Sequence, residues 1–356
     1  MDIVKQSGAY DAALYNLPFW NTEVVYNETV YPLENADGTV PLIPLMYRAD
    51  EIIAVRSTDL ETLYTADVDY VCEDGGIRIL PGSSIPTVAY KDFFFDEEKP
   101  GQCMTLIEGG YVFFSEGDVF HRQQVCVTYR HRDAWTGPVP AAKGHLLPLL
   151  HKRLAEKTPL RVVMYGDSIT CGANSSGAIG AKPFVPKWPD MFPQELERVY
   201  GSPVEVIDTA VGGQYTPWGR DNVAERVVAY HPDLAVLAFG MNDGTHGITP
   251  EEYKANLCYM IDAIRADRPD CSIMVLNSIM PNSEITYFPG LQDEYAPVLQ
   301  EIEDTYEELT FTNITELHKY LLTIKRYPDM TGNNVNHLND FSARLYAQAL
   351  FATVQK

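Results

Sequence analysis

"LRVVMYGDSITCG", residues 160–172, runs from a stretch of apolar and β-branched residues straight into a glycine-led polar turn. The stretch suits a strand buried on both faces, Gly166 lets the backbone turn sharply, and Ser168 stands two residues past the strand. Four later stretches share that texture: "VEVIDTA" (204–210), "DLAVLAFG" (233–240), "CSIMVLNS" (271–278) and "LTFTNI" (309–314). Polar loops or helical patterns follow them, as parallel strands with crossover helices on both faces require. One helix start is well marked: Thr249 is an N-cap, Pro250 suits the first helical position, and Glu252 completes a capping box. The reading is an α/β domain of about five parallel strands in three layers.

Open parallel sheets bind ligands beyond the carboxyl ends of their strands. Four polar groups stand in such loops: Ser168, the adjacent glycines Gly212 and Gly213 in "VGGQ", Asn242 in "GMND", and His337 in "NNVNHLND" (333–340). Each alone has an ordinary explanation, since serine caps helices, paired glycines make tight turns, and asparagine populates loops. Together they supply a nucleophile, oxyanion donors and a general base, which is the equipment for acyl transfer. No serine has glycine both two before and two after it, so a G-x-S-x-G nucleophile elbow is excluded.

These blocks, in this order, resemble the SGNH, or GDSL-type, esterase family, over about residues 155–356. The resemblance implies a flavodoxin-like domain with Ser168 as nucleophile and His337 as base. Its oxyanion hole would be the Ser168 N–H, the Gly213 N–H and the Asn242 side chain. It implies no cofactor and no metal. One position departs from the family: most relatives carry Asp three before the histidine, and here that residue is Asn334. The expectation is a Ser168–His337 dyad oriented by Asn334 or a main-chain carbonyl, with no carboxylate essential. Asp340 is expected to cap the last helix, and replacing Asp329, eight residues before His337, to be nearly silent.

Working outward, the first third alternates short β-rich runs with turn signals, as in "VDYVCEDGGIRIL" and "QQVCVTYRH", which reads as an all-β sandwich or jelly-roll-like module. "RDAWTGPVPAAKG", residues 132–144, reads as a break. The expected division is 1–135 for the accessory module, 136–154 for a linker and connecting helix, and 155–356 for the catalytic domain. His131, at the end of the β-rich part, is taken as structural, and Asp167 as an anchor for the nucleophile loop.

With 27 Lys and Arg against 49 Asp and Glu, the net charge of −22 opposes binding to nucleic acid or an anionic membrane. Six cysteines without C-x-x-C spacing fit free thiols in a reducing compartment, and no leader or membrane-length apolar run is evident, so a cytoplasmic protein is expected. A homo-oligomer stays open. Trp188, Tyr215 and Trp218 lie near the Ser and Gly blocks and suit stacking on a sugar, and His246 could touch the same ligand. A β-rich module before an SGNH-type domain resembles the architecture of two-domain carbohydrate acetylesterases, and that resemblance implies removal of acetyl groups from acetylated xylo- or manno-oligosaccharides. The alternatives are a short-chain carboxylesterase or thioesterase on lipid-like or aryl esters, and a non-catalytic carbohydrate-binding protein of the same shape.

Overall fold

The computed structural model describes residues 2–356. The first third holds three small antiparallel sheets. β1 (Val24–Val30), β2 (Glu51–Ser57) and β8 (Val125–Arg130) form one, in the order β1-β8-β2; β3 (Tyr70–Glu73) and β4 (Gly76–Ile79) form a hairpin; β5 (Phe94–Phe95), β6 (Cys103–Thr105) and β7 (Tyr111–Phe113) form the third, in the order β5-β7-β6. The hairpin turns at Asp74-Gly75, both at positive φ. His131 stacks on Tyr47 with ring centroids 3.7 Å apart, and burial pulls its pKa down, in keeping with a structural role.

The five apolar runs are five parallel strands, β9 (Leu160–Gly166), β10 (Val204–Asp208), β11 (Leu234–Ala238), β12 (Ser272–Leu276) and β13 (Leu309–Thr312), in the order β10-β9-β11-β12-β13. Successive residues point to opposite faces of a strand, so one run fills two cores. Val162, Met164, Val236 and Met274 pack against α1 (Pro148–Ala155), α2 (Trp188–Tyr200), α6 (Ile314–Leu322) and α7 (Asp340–Val354). Val163, Tyr165, Leu237 and Val275 pack against α3 (Thr216–Arg226), α4 (Pro250–Asp267) and α5 (Ala296–Thr305). Thr249 caps α4 as expected, its side chain accepting from Glu252 N at 3.2 Å.

α7 is buried on nearly all sides because it lies between the sheet and the β module. Its Arg344 is buried and donates to the carbonyls of Tyr26 (2.6 Å) and Tyr15 (3.2 Å), so a charged residue in the last helix holds the first segments of the chain. The expected cap is corrected: Asn339, not Asp340, caps α7 by accepting from Ser342 N (3.1 Å). Asp340 instead accepts from Ser176 N (2.8 Å), so its carboxylate ties the helix to the nucleophile loop.

One hydrophobic cluster runs unbroken from the β module into the α/β domain, taking in Val127 and Tyr129 as well as Leu345 and Leu350. Polar contacts reinforce it. A bulge in β1 after Val25, with Asn27 at φ 49°, turns Glu28 inward. There it forms an ion pair with Lys325, both side chains fully buried, and accepts from Tyr129 OH (2.6 Å) and Met46 N (2.9 Å). Asp329 is also fully buried, accepting from Tyr31 N (2.7 Å) and pairing with Arg326 (3.0 Å). Tyr31 belongs to the β module and Asp329 to the segment leading into the histidine loop, so that loop is anchored on the β module.

Candidate active site

Ser168, Gly213 and Asn242 follow β9, β10 and β11, adjacent strands at the point where the chain order reverses direction across the sheet, the usual crevice of such a fold. Close approach of β9 to β11 makes Gly166 necessary: a Cβ there would lie 2.2 Å from Ala238 O. The turn is then fixed by Asp167, which accepts from Ile169 N (2.9 Å), and by Thr170, whose hydroxyl donates to Ala238 O (3.2 Å). Asp167 thus anchors the nucleophile loop. Burial pushes its carboxyl up to about 7, against the Ile169 N–H bond that lowers it and with the Asp243 charge raising it further.

His337 meets Ser168 directly, with Nε2 3.0 Å from Oγ. Its loop is organised by Asn333, a fully buried residue whose Oδ1 accepts from the backbone N–H groups of Val335 (3.0 Å), Asn336 (3.0 Å) and His337 (3.1 Å). Thr331 closes the loop by donating to His337 O (2.9 Å).

The other ring nitrogen corrects an expectation. Asn334 does not orient His337; its side-chain amide donates to Phe113 O in the β module (2.9 Å), and its Oδ1 has no partner among the described residues. Asn334 stands at φ 68°, and its side chain is committed to the β module instead of the ring three positions on. His337 Nδ1 instead faces Asn174 Oδ1 at 2.7 Å and Glu116 Oε2 at 3.3 Å. Both are acceptors, so Nδ1 carries the hydrogen and Nε2 presents its lone pair to the serine hydroxyl. Sequence reasoning missed both residues. Asn174, six beyond Ser168, was discoverable as a residue type that tolerates its φ of 66°. Glu116, 221 positions from His337, carried no sequence signal.

In the second loop, Gly212 faces Ser168, since a Cβ built on it would lie 3.7 Å from that of the serine. Gly213 has φ 78° and open space where a side chain would begin. The Asn242 side chain is buried and donates from Nδ2 to Gln214 O (2.9 Å), which uses one of its two N–H donors and locks the third loop onto the second. Gly240, at φ 136°, makes the bend that starts the short helix Met241–Thr245. Asp243 beside it accepts from Thr216 N (2.8 Å), and burial raises its carboxyl to about 6.

The aromatic residues divide. Trp188 is fully buried, donating to Ile169 O (2.9 Å) and packing on Tyr346, so it braces the nucleophile loop from beneath and cannot stack on a ligand. Trp218 lies against Tyr165 in the cluster behind the sheet, with the Arg226 guanidinium over its ring. Tyr215 and His246 remain as surface candidates, stacked on each other at 5.0 Å and 14°, with His246 Nδ1 bonded to Asn242 O (2.7 Å). No group of His, Cys, Asp and Glu with metal-binding spacing occurs among the described residues.

The family model of the GDSL-like lipase/acylhydrolase family matches residues 164–344, half of the chain. The chain belongs to that family. An arylesterase of Vibrio mimicus is 27% identical over 141 residues, covering 40% of this chain and 66% of that one. An uncharacterized protein of Mycoplasma pneumoniae is 29% identical over 142 residues, covering 38% of this chain. The chain thus spans less than two thirds of either relative, with only 15% of the second covered. Among solved structures, an acetylxylan esterase of Geobacillus stearothermophilus aligns with TM-score 0.44 at 18% identity, over 55% of this chain and 94% of that one. A two-domain esterase active on acetylated mannans aligns with TM-score 0.47 at 14% identity, over 58% of this chain and 52% of that one. The GDSL-like match begins inside β9 and ends five residues into α7, so the β module lies outside it.

Proposed function

We propose that the protein is a serine esterase that removes small acyl groups, acetyl above all, from carbohydrate such as xylo- or manno-oligosaccharides. The observation that carries the esterase reading is the 3.0 Å contact between His337 Nε2 and Ser168 Oγ, on a ring whose other nitrogen is held by acceptors. His337 takes the hydroxyl proton as Oγ attacks the ester carbonyl, then gives it to the departing alcohol; water repeats the cycle and frees the acid. The Ser168 N–H, the Gly213 N–H and the free Asn242 N–H take the charge on the carbonyl oxygen.

Support for a small acyl group on a polar alcohol comes from the rim. Ser168 is half-buried, Gly212 and Gly213 are exposed, and the His337 ring beside the serine is held by the polar side chains of Glu116 and Asn174. The 27% identity to an arylesterase favours a second reading, short-chain aryl esters. The six free cysteines support a reducing, cytoplasmic setting, and among the described residues no helix is long and apolar enough to cross a membrane. A division between accessory and catalytic modules near residue 135 belongs to the same proposal.

The test is an ester panel from acetyl to octanoyl on one aryl alcohol, run beside acetylated xylo- and manno-oligosaccharides. Acetate release from the sugars with steep loss beyond short acyl chains is expected. Strong octanoyl turnover with no release from sugars would overturn the carbohydrate reading.

A further inference from the structure

We propose that Glu116, carried by the accessory β module, is the carboxylate that stabilises the His337 imidazolium during acyl transfer, so that the active site is completed from outside the family's domain. The inference rests on the Ser168–His337 reading and extends it.

Asn174 Oδ1, at 2.7 Å, is the nearer acceptor of the Nδ1 hydrogen and is enough to fix the tautomer, but an amide brings no charge. Charge appears on the ring when Oγ bonds to the ester carbon: the serine proton moves to Nε2, the carbonyl electron pair moves to oxygen, and imidazole becomes imidazolium. When the tetrahedral species collapses, the bond to the alcohol oxygen breaks and the proton leaves Nε2 for that oxygen. Glu116 Oε2, 3.3 Å from Nδ1, faces the positive charge throughout and takes no proton.

Its placement is built. Glu116 follows β7, and its Oε1 accepts from Asn333 Nδ2 (3.1 Å), the same residue whose Oδ1 holds the His337 backbone N–H. Asn174 Nδ2 donates to Gly117 O (3.3 Å), and Asn334 to Phe113 O (2.9 Å), so the segment 113–117 is held by the histidine loop at one end and by the nucleophile loop at the other. Burial alone would raise the Glu116 carboxyl; the hydrogen bond and charge of His337, with Asn333 and Asn174, outweigh it and hold it below the ordinary glutamate value. The groups bonded to the ring are Ser168 and Asn174 from the nucleophile loop and Glu116 from the β module. Other carboxylates of these elements are engaged elsewhere: Asp118 with Arg122, Asp167 with Ile169 N, Asp329 with Arg326 and Tyr31 N, and Asp340 with Ser176 N. The Glu116 side chain is 52% exposed, so water screens the attraction and its effect falls below that of a buried triad carboxylate.

The test uses the full chain with a small aryl acetate. Glu116→Gln keeps the acceptor for Asn333 and removes only the charge. It is expected to lower kcat about tenfold with KM within about twofold, and to move the acid limb of the kcat/KM profile down by about half a pH unit, the sign expected when an anion beside an imidazolium is lost. Adding Asn174→Asp to Glu116→Gln puts a carboxylate on the nearer position and is expected to recover most of the rate. An unchanged kcat and acid limb in folded Glu116→Gln would overturn the proposal, as would a lowered rate with an unmoved limb and no rescue, which marks a structural role. Ser168→Ala, run in parallel, separates the two levels: an active Ser168→Ala protein removes the esterase site itself, whereas an inactive one beside an unaffected Glu116→Gln removes only the role of Glu116.

Discussion

Asn333→Ala tests how the histidine is held. The substitution removes the Oδ1 that accepts from three backbone N–H groups at 3.0, 3.0 and 3.1 Å, and the Nδ2 that donates to Glu116 (3.1 Å) and Asn336 (3.1 Å). Asn333 is fully buried, so solvent does not replace these bonds without the loop opening. At about 1 kcal/mol net for each lost backbone bond, the loop loses roughly 3 kcal/mol. That is enough to unlatch it locally, and displacement of a general base by about 1 Å costs on the order of 100-fold in rate. Asn333→Asp keeps the acceptor for the three backbone N–H groups but replaces the donor with a carboxylate oxygen facing Glu116 and Asn336 Oδ1, so it should also lose activity, by repulsion instead of by loss of the backbone clasp. The assays are kcat/KM on an aryl acetate and the urea midpoint followed by circular dichroism. Asn333→Ala with activity within about twofold of normal and an unchanged midpoint would refute the reasoning.

Other outcomes follow from the same contacts. Asp329→Ala should destabilise the protein by about 1–3 kcal/mol, because it leaves the buried Tyr31 N–H without its acceptor, while Arg326 keeps its bond to Tyr31 O and the folded fraction keeps its catalytic rate; a silent substitution in thermal melts would contradict this. Burial raises the Asp167 carboxyl from 3.8 to about 7, so the folded state keeps a proton that the unfolded chain releases. The stability from this group is fully present below about pH 3.8 and is lost as pH rises through about 7. Asp167→Asn should therefore flatten the fall in urea midpoint between these values, and an unaltered slope would count against it. Finally, residues 136–356 expressed alone should fail to fold, since removing the β module bares the Lys325 ammonium and the apolar faces of α7; a soluble fragment with a cooperative melt would show the modules to be separable.

The α/β domain was legible because its central strands β9, β11 and β12 are buried on both faces and read as nearly unbroken apolar runs, and because its loops begin at glycines with specific tasks, such as Gly166 and Gly240. The β module was legible only as a texture. β1 and β2 sit far from β8 in sequence yet flank it in the sheet, and polar residues such as Glu28 and Thr128 are buried within it, which breaks the alternation that reveals strands. For the site, Ser168 and His337 were readable from spacing, whereas the partners of the histidine were not. The absent Asp at position 334 suggested a dyad without a carboxylate, but hydrogen-bond acceptors reach a ring through space, and Glu116 arrives from a different sheet. The structural part played by Asp329 was hidden in the same way, since it lies in a bond to Tyr31, 298 positions away. Trp188 was read by its neighbours in sequence, while its indole is consumed by Ile169 O beneath the loop.

The central claim is that Ser168, activated by His337 at 3.0 Å, is the residue acylated during turnover. The most direct measurement is intact-mass and peptide mass spectrometry of the full-length protein after exposure to an alkyl fluorophosphonate, with and without His337→Ala. The account predicts a single phosphonyl adduct on the peptide containing Ser168, formed in step with loss of aryl acetate hydrolysis and nearly abolished in His337→Ala. Complete inactivation with the adduct on another residue, or full activity retained after Ser168 is modified, would contradict it.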